Sequence, residues 1–315
     1  MYIGIDVGGT NLVAGLVDGQ GKVLAKATCP VDKTASAEEL THQLIQLSKE
    51  AAGKADCPIK DIQAIGAGIP GLVNNSTGVV IKTTNMPFVD TPFRAMFQQE
   101  IDAPVYLGND ADCAAIGEYW AGAAKGYDPA LMVTLGTGIG GGMIKSGKLY
   151  TGFGGIGMEV GHLITKQGGL LCGCGNHGCW EQYGSATALV RMTREKMTQR
   201  DDTVLWQLCG GDIQKVEGRT TFQAAGQGDE AAKEVLEQYL DELAVGLVNL
   251  ANILFPEVIC LGGGISHAED ALLLNPLKER VYSGCFDKTH LPKMERASLG
   301  NDAGVVGAAM LCHVV

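Results

Sequence analysis

The sequence lacks basic runs and long apolar segments, and each absence excludes a class of protein. Its 315 residues carry 24 Lys and Arg against 35 Asp and Glu, and no basic run is long enough to follow a nucleic-acid backbone. No apolar run approaches the length of about 18 residues that suggests a membrane span, and the chain opens M-Y-I-G-I-D without a signal-peptide pattern. We therefore expect a cytoplasmic protein that binds neither nucleic acid nor a membrane.

Glycine and cysteine, in contrast, are plentiful. The 45 glycines cluster in short loops between apolar runs and follow no G-X-Y period. Ten cysteines could indicate a secreted disulfide scaffold, but a chain of this length can bury cores large enough to need no such cross-links. A hydrophobic fraction of 46% and this length predict a globular protein of two domains.

The order of predicted elements indicates an α/β protein in two lobes. Strands are predicted at 2–7 and 11–18, and a helix at 36–52 that Ser36 caps with Glu39 in a capping box. Further helices are predicted at 111–121 and at 229–255, the latter capped by Asp229. The opening pattern of strand, glycine-threonine turn and strand recurs from residue 131, which predicts two related halves.

The most specific pattern is a cluster of soft metal ligands. Cys172, Cys174 and Cys179 are spaced C-x-C-x4-C on a glycine-rich segment, and His162 lies just upstream. Four such ligands are the number that a closed, structural Zn²⁺ site requires. His177 lies inside the loop and is an alternative fourth ligand. The competing interpretation is a set of free thiols beside a core histidine.

Carboxylate side chains lie beside the cysteine cluster in the sequence and also in a second motif, Gly108-Asn109-Asp110. Glu159 and Glu181 flank the proposed metal site, and such groups suit the hydroxyls of a sugar ring, although surface solvation is the alternative. Gly108-Asn109-Asp110 ends a predicted strand just before a helix. One of Asn109 and Asp110 can cap the helix while the other works, and Asp110 is a candidate general base for a substrate hydroxyl.

The sequence has glycine turns in three places. Together they favour a nucleotide-binding role between the lobes over a purely structural role for these turns. In Asp6-Val-Gly-Gly-Thr-Asn11 the turn can offer backbone amides and the Thr10 hydroxyl to an anion, and Asp6 can hold Mg²⁺ through water. The segment Leu135-Gly-Thr-Gly-Ile-Gly-Gly-Gly142 is neither a P-loop nor a Rossmann fingerprint. Leu261-Gly-Gly-Gly264 is the third glycine loop.

Taken in order, these motifs resemble the ROK family, and specifically its bacterial glucokinases. The resemblance rests on D-V-G-G-T-N, G-N-D-A-D, L-G-T-G-I-G-G-G, E-V-G-H and C-G-C-G-N-H-G-C-W-E, and it covers residues 4 to about 307. It implies an actin-like fold of two ribonuclease-H-like lobes that close on sugar and ATP. The smaller lobe would comprise 1–118 and 302–315, and the larger would comprise 119–301. A homodimer or tetramer is also implied.

The resemblance also implies a role for each matching residue. Asp110 would be the catalytic base, and Asn109, Asp110, Glu159, His162 and Glu181 the sugar ligands. His162, Cys172, Cys174 and Cys179 would hold structural zinc. The ATP-binding residues would be Asp6, Gly8, Gly9, Thr10, Asn11, Gly136, Thr137, Gly138, Gly262 and Gly263. The chain departs from the family at Asn11, where many members have Lys, and at Phe88, where Trp is common.

The activity implied is phosphorylation of glucose at its 6-hydroxyl by ATP with Mg²⁺. The main alternative is a kinase for another hexose, namely N-acetylglucosamine, N-acetylmannosamine or fructose. A sugar-sensing repressor of the family would need a helix-turn-helix segment before the first glycine turn. Only five residues precede Asp6. A non-catalytic actin-like ATPase would lack the cysteine cluster.

Overall fold

The computed structural model describes residues 1–83 and 85–315. Within that range the strands are β1 (Tyr2–Val7), β2 (Asn11–Val17), β3 (Val23–Pro30), β4 (Ala64–Ile69), β5 (Leu72–Asn74), β6 (Val79–Lys82), β7 (Val89–Thr91), β8 (Val105–Asn109), β9 (Ala130–Leu135), β10 (Ile139–Lys145), β11 (Lys148–Leu149), β12 (Val258–Gly262) and β13 (Lys293–Arg296).

The α-helices of the described residues are interspersed among these strands, and five of them follow one another between β11 and β12. They are α1 (Ala37–Lys54), α2 (Phe93–Gln98), α3 (Asp110–Ala121), α4 (Glu181–Gly184), α5 (Ala186–Met197), α6 (Leu205–Leu208), α7 (Gly218–Gly226), α8 (Glu230–Leu254), α9 (Leu274–Gly284) and α10 (Ala303–Val314). The predicted caps are confirmed: Ser36 and Glu39 form the capping box of α1, and Asp229 caps α8.

The chain forms two compact units. Unit 1 comprises Met1–Met132, Gly142–Met158 and Ala297–Val315, and unit 2 comprises Val133–Gly141 and Glu159–Arg296. These are packing units, and the division into functional lobes at residues 118 and 302 stays a prediction.

The main sheet of unit 1 has the strand order β3-β2-β1-β4-β8. β1 pairs antiparallel with β2, and β1, β4 and β8 run parallel, so that the ends of β1 and β8 lie on the same edge. All six residues of β4 are buried, as expected for a strand covered on both faces. α10 lies directly on the sheet at Gly4 and Gly66, because a Cβ at either glycine would fall within 2 Å of an α10 carbonyl oxygen.

A second sheet repeats this topology, as the predicted internal repeat requires. Its order is β11-β10-β9-β12-β13, which matches β3-β2-β1-β4-β8 position by position. The glycine loop is shorter than the sequence suggests, since Gly140, Gly141 and Gly142 belong to β10. A Cβ at Gly142 would lie 2.7 Å from that of Ala115 in α3. The glycine therefore permits close packing of helix on strand.

Unit 2 is built around α8, the longest helix described. Its buried stripe includes Val235, Leu236, Tyr239, Leu243 and Leu247, which places one face of the helix in the core. Across residues 1–83 and 85–315, every helix falls short of the length and apolar character needed to cross a membrane. All ten cysteines of the described chain are free thiols.

Candidate functional site

Asn109 and Asp110 have different roles: Asn109 caps the helix, and Asp110 is available as a general base. Asn109 is the N-cap of α3: its side-chain oxygen accepts from the Ala111 amide at 2.8 Å, and its Nδ2 donates to the Gly71 carbonyl at 3.1 Å. Asp110 is the first residue of α3 and keeps contact with solvent. Desolvation by the surrounding protein raises the pKa of Asp110, although the Ala111 amide opposes this. Its position and accessibility suit a general base.

Asp6 lies near the end of β1 and interacts with Asp110 through its charge. Burial, and secondly the negative charge of Asp110, raise the pKa of Asp6 to about 6. The N-terminal turn of α10 presses against the same carboxylate, since a Cβ at Gly304 would lie 2.9 Å from Asp6 Cγ. Unit 1 thus holds two neighbouring carboxylates whose mutual repulsion favours a bound cation.

The first glycine turn follows Asp6 directly. Gly8 N–H donates to the Asn11 carbonyl at 3.0 Å, which closes a tight turn between β1 and β2. Gly9, Thr10 and Asn11 are exposed at its tip. Such a turn can present backbone amides and the Thr10 hydroxyl to phosphate oxygens.

A cavity of about 430 Å³ in unit 1 adjoins Asn109. Its walls include the β5–β6 turn at Asn74, Asn75 and Ser76, together with Thr151. Arg94 holds this turn in place by donating to the carbonyl oxygens of Ser76 and Asn75. The volume falls within the range of small-molecule pockets.

In unit 2 the structure brings together His162, Cys172, Cys174 and Cys179. Their ligand atoms all lie within 4.8 Å of one another. The Cys174 and Cys179 sulfurs are 3.6 Å apart, and the Cys172 sulfur is 3.7 Å from His162 Nδ1. Tetrahedral Zn²⁺ with its usual bond lengths needs S···S and S···N separations of roughly 3.6–3.8 Å. The donor set and its spacing therefore fit zinc, with Nδ1 facing the metal position.

The structure also places His177, the alternative metal ligand, and Glu159, a predicted sugar ligand. His177 lies outside this cluster, because its Nδ1 is 2.9 Å from the Gly169 carbonyl oxygen. Glu159 is exposed, and its carbonyl accepts from the His162 amide at 3.0 Å. Glu159 therefore lies three residues before His162 with its side chain open to solvent.

Glu181 links the cysteine cluster to the second glycine turn. Its Oε1 is 2.9 Å from the Cys172 sulfur and 3.8 Å from His162 Nδ1. A Cβ at Gly138 would lie 2.7 Å from Glu181 Oε2, so a larger residue there would require this carboxylate to move. Ala186 N–H donates to the Gly136 carbonyl, and the Thr187 hydroxyl donates to that of Thr137. The start of α5 thereby fixes the turn.

The third glycine loop follows β12 and packs against the second. Gly263 has φ +81°, and a Cβ there would lie 2.5 Å from the Leu135 carbonyl oxygen. Gly264 and Ile265, next in the chain, line a cavity of about 230 Å³ together with Arg219 and Phe222 of α7. Unit 2 thus joins Gly136–Gly138, Gly262–Gly263 and the cysteine cluster around the ends of β9 and β12.

Comparison with known proteins agrees with this geometry. The sequence profile of the ROK family matches residues 2–315. The chain belongs to the ROK family. A glucokinase of Streptomyces coelicolor is 36% identical over 99% of this chain and 98% of its own. An N-acetyl-D-glucosamine kinase of Shigella boydii is 31% identical over 99% of each chain.

A solved structure extends the agreement to the fold. The ROK family glucokinase of Streptomyces griseus, crystallised with glucose and AMPPNP, superposes with a TM-score of 0.82 at 34% identity, covering 98% of each chain. The predicted α/β, actin-like fold is thereby confirmed. Phe88, the position at which this ROK chain departs from the common Trp, is fully buried and packs edge-on against Phe93. It belongs to the core of unit 1.

Sequence reasoning missed several residues around these sites in the ROK chain. Arg219 and Phe222 lie on α7, far along the chain from the glycine loop that they face. Asn75 and Arg94 hold the cavity wall in unit 1. Asn74-Asn75-Ser76 carried a local turn signal that could have identified the wall. No local pattern marks Arg219 or Arg94, because their relevance depends on tertiary contacts.

Proposed function

We propose that this ROK protein is a glucokinase that transfers the γ-phosphoryl group of ATP to the 6-hydroxyl of glucose. The observation that carries the proposal is the position of Asp110. It is a solvent-accessible carboxylate of raised pKa at the first turn of α3, beside the cap Asn109 and the second carboxylate Asp6. The glucokinases of similar sequence and fold support the choice of reaction.

Asp110 accepts the proton of the sugar 6-hydroxyl as the oxygen attacks phosphorus. Phosphoryl transfer has a loose transition state, so the protein contributes mainly position and charge compensation. The proposed sugar ligands are Asn109 and Asp110 in unit 1 and Glu159, His162 and Glu181 in unit 2. Their amide, imidazole and carboxylate groups match the hydroxyls of a hexose.

The glycine turns bind the triphosphate in this proposal. Gly8, Gly9, Thr10 and Asn11 in unit 1, and Thr137 and Gly138 in unit 2, offer backbone amides and hydroxyls to phosphate oxygens. Gly262 and Gly263 accompany the nucleoside. Asp6 would hold Mg²⁺, and that ion would neutralise charge on the phosphates when bound. Asn11 leaves more of this charge to Mg²⁺ and backbone amides than the Lys of many members would.

The cysteine cluster holds structural zinc in this proposal. His162 and the three cysteines would supply all four ligands of a zinc ion, so the metal would have a structural role and take no part in the chemistry. Their role is to hold Glu181, which contacts the cluster through Cys172, in a fixed position for the sugar. His162 Nδ1 faces the metal position, which leaves Nε2 as a donor or acceptor for a sugar hydroxyl.

The second candidate is a kinase for an N-acetylhexosamine. The 31% identity to an N-acetyl-D-glucosamine kinase favours it over other hexoses. An acetamido group adds volume at C2 of the sugar, so the two substrates need pockets of different size. The distant alternative of a sugar-sensing protein without kinase activity predicts sugar binding with no turnover.

The decisive test is turnover of purified protein with ATP and Mg²⁺ on glucose, mannose, fructose, N-acetylglucosamine and N-acetylmannosamine. We expect the highest kcat/KM with glucose, measured by ADP release and by the sugar phosphate formed. Equal or better kcat/KM on an N-acetylhexosamine would reassign the substrate. ADP release that no sugar stimulates would exclude a sugar kinase.

We also propose that the protein assembles as a homodimer or tetramer, as members of its family do. The measurement is the mass in solution by light scattering coupled to size-exclusion chromatography. A monomer at micromolar concentration would refute this part of the proposal.

A further inference from the structure

The segment between His162 and Glu181 is a hairpin, here called the zinc hairpin (residues 163–180). Trp180 N–H donates to the Leu163 carbonyl at 2.7 Å, and Thr165 N–H donates to the Gly178 carbonyl at 2.9 Å. Ile164 and Cys179 form an antiparallel bridge between its two arms. The hairpin carries three of the four proposed metal ligands, and Glu181 follows its last residue.

One residue of α8 holds both arms of the zinc hairpin. The carboxylate of Glu242 forms an ion pair with the Lys166 ammonium on the first arm. The carbonyl of the same residue accepts from Trp180 Nε1 on the second arm at 3.0 Å. The helix thus holds the hairpin through both arms, whereas the proposed metal ligands join Cys172 and Cys174 near its tip to Cys179 and His162 at its base.

The two partners of this ion pair differ in exposure. The Glu242 side chain is 11% exposed, while that of Lys166 is 46% exposed. The Lys166 ammonium also lies 4.7 Å from the centre of the Tyr183 ring, and the Tyr183 hydroxyl accepts from the Leu170 amide of the hairpin. Loss of Lys166 would leave a largely buried carboxylate without its partner, which is costly.

Trp180 fixes the position of Glu181, the next residue in the chain, relative to α8. Its side chain is fully buried, and a Cβ at Gly246 of α8 would lie 2.0 Å from the indole ring. The indole is therefore held flat against the helix, one residue before the carboxylate that contacts Cys172. A displacement of the hairpin base would move both Glu181 and the ligand Cys179, which flank Trp180 in the sequence.

We propose that the Lys166–Glu242 pair is a positioning element that fixes the zinc hairpin on α8. It thereby sets both the retention of the metal and the affinity for sugar. Its kinetic consequence rests on the proposed hexose kinase activity, whereas its consequence for metal retention does not.

The test compares Lys166→Met and Glu242→Gln with Lys166→Arg and with the double variant that removes both charges. Transfer of zinc from the purified holoprotein to a chromogenic chelator should be about 10-fold faster in each single variant, the scale seen when a group supporting metal ligands is lost. The KM for sugar should rise several-fold, with little change in kcat or in the KM for ATP. Lys166→Arg should restore wild-type behaviour.

A matched control is the Lys196–Glu234 pair, which joins α5 to the same helix at 2.6 Å without contact to the hairpin. Lys196→Met should leave zinc transfer and sugar KM unchanged. The double variant should be less than additive if the two charges act on each other. It also avoids an unpaired buried charge, so it remains informative where a single variant fails to fold.

Wild-type zinc transfer and sugar KM in Lys166→Met and in the double variant would overturn the proposal. An equal shift in Lys196→Met would also overturn it, since that would show a general loss of stability. If the wild-type protein phosphorylated no sugar, the proposed function would fail, but faster zinc transfer in the variants would still support the positioning role.

Discussion

The carboxylate pair of unit 1 and the zinc hairpin of unit 2 hold functional groups in opposite ways. Asp6 and Asp110 lie at strand and helix termini, where the backbone of β1, β8 and α3 sets their position. The zinc hairpin has little regular structure of its own. Its arms are joined by isolated bridges and turns, so we expect its shape to depend on the proposed metal ligands, the Lys166–Glu242 pair and the Trp180 anchor.

The difference shows how each site responds to change. The backbone conformation around Asp110 does not depend on its side chain. A substitution there should therefore lower the catalytic rate and keep the protein folded. In the hairpin the side chains are the scaffold, and a single substitution should displace several groups together. In unit 1, by contrast, keeping Asp6 and Asp110 charged next to each other lowers the stability of the folded protein, which folds nonetheless. Four predictions, in decreasing order of expected effect, test this contrast.

The largest effect is expected for Asp110→Asn. Loss of the base should lower kcat by roughly 10²–10⁴-fold, the usual contribution of general base catalysis. The melting temperature should change little, because Asn109 provides the helix cap. The measurement is steady-state turnover alongside thermal unfolding, with the exposed Asp102→Asn of unit 1 as the control. Near-normal kcat in a folded Asp110→Asn protein would show that another group accepts the proton.

The second prediction concerns Cys174→Ser in the zinc hairpin. Three remaining ligands should hold zinc at least about 100-fold less tightly, because loss of a group that only supports a metal ligand already costs about 10–100-fold. We expect a large rise in sugar KM and an unchanged KM for ATP. Bound zinc would be measured by elemental analysis after dialysis. Cys312→Ser, which removes a thiol in α10, is the matched control. Full sugar affinity in a zinc-free variant would disprove the scaffold role.

The third prediction uses the raised pKa of Asp6. Because the pKa of Asp6 in the folded protein, about 6, exceeds the usual aspartate value of 3.8, the folded protein binds the proton more tightly than the unfolded chain. The contribution of Asp6 to the free energy of unfolding should therefore fall as pH rises from about 4 to about 6, by about 1–2 kcal/mol after allowance for partial exposure.

Asp6→Asn should remove this dependence and stabilise the protein at pH 8, while turnover is lost. Denaturant unfolding without nucleotide or Mg²⁺ measures the effect. The Asp18→Asn variant, at an exposed turn of unit 1, controls for removal of an acidic group. If the stability of Asp6→Asn relative to wild type decreased as pH rose from about 4 to about 6, the sign would be wrong.

The smallest effect is expected for Ser36→Ala at the start of α1. Loss of the capping box should reduce the free energy of unfolding by about 0.5–2 kcal/mol. Sugar KM, kcat and zinc content should not change, since the helix supports neither site. Chemical denaturation with parallel kinetics would check both parts. Altered sugar KM in this variant would weaken the separation between backbone scaffold and functional site.

Local patterns were sufficient for most of the fold and for part of the sites. The capping box at Ser36, the Asp229 cap and the repeated strand–turn–strand opening are short-range signals, and each corresponds to a structural element. The cysteine spacing likewise predicted a cluster that the structure assembles. The glycine run at 136–142 was read too simply as one loop, because packing of α3 on β10 gives Gly142 a role in the strand.

Long-range partners could not be predicted in this way. Glu242 is one of many acidic residues on an amphipathic helix, and nothing near it in the sequence points to Lys166 or Trp180. The same holds for Arg219 beside the third glycine loop. Their roles follow from distances between residues dozens of positions apart, which periodicity and spacing do not encode.

The amino-acid sequence by itself determined the elements, their order and the ligand types at the zinc hairpin, because caps, turns and metal spacing act over a few residues. Tertiary structure alone decided which of Asn109 and Asp110 caps α3, that His162 rather than His177 joins the thiols, and that the Asp6 pKa rises to about 6. Those outcomes depend on burial, charge and packing from distant parts of the chain, and these act only once the chain has folded.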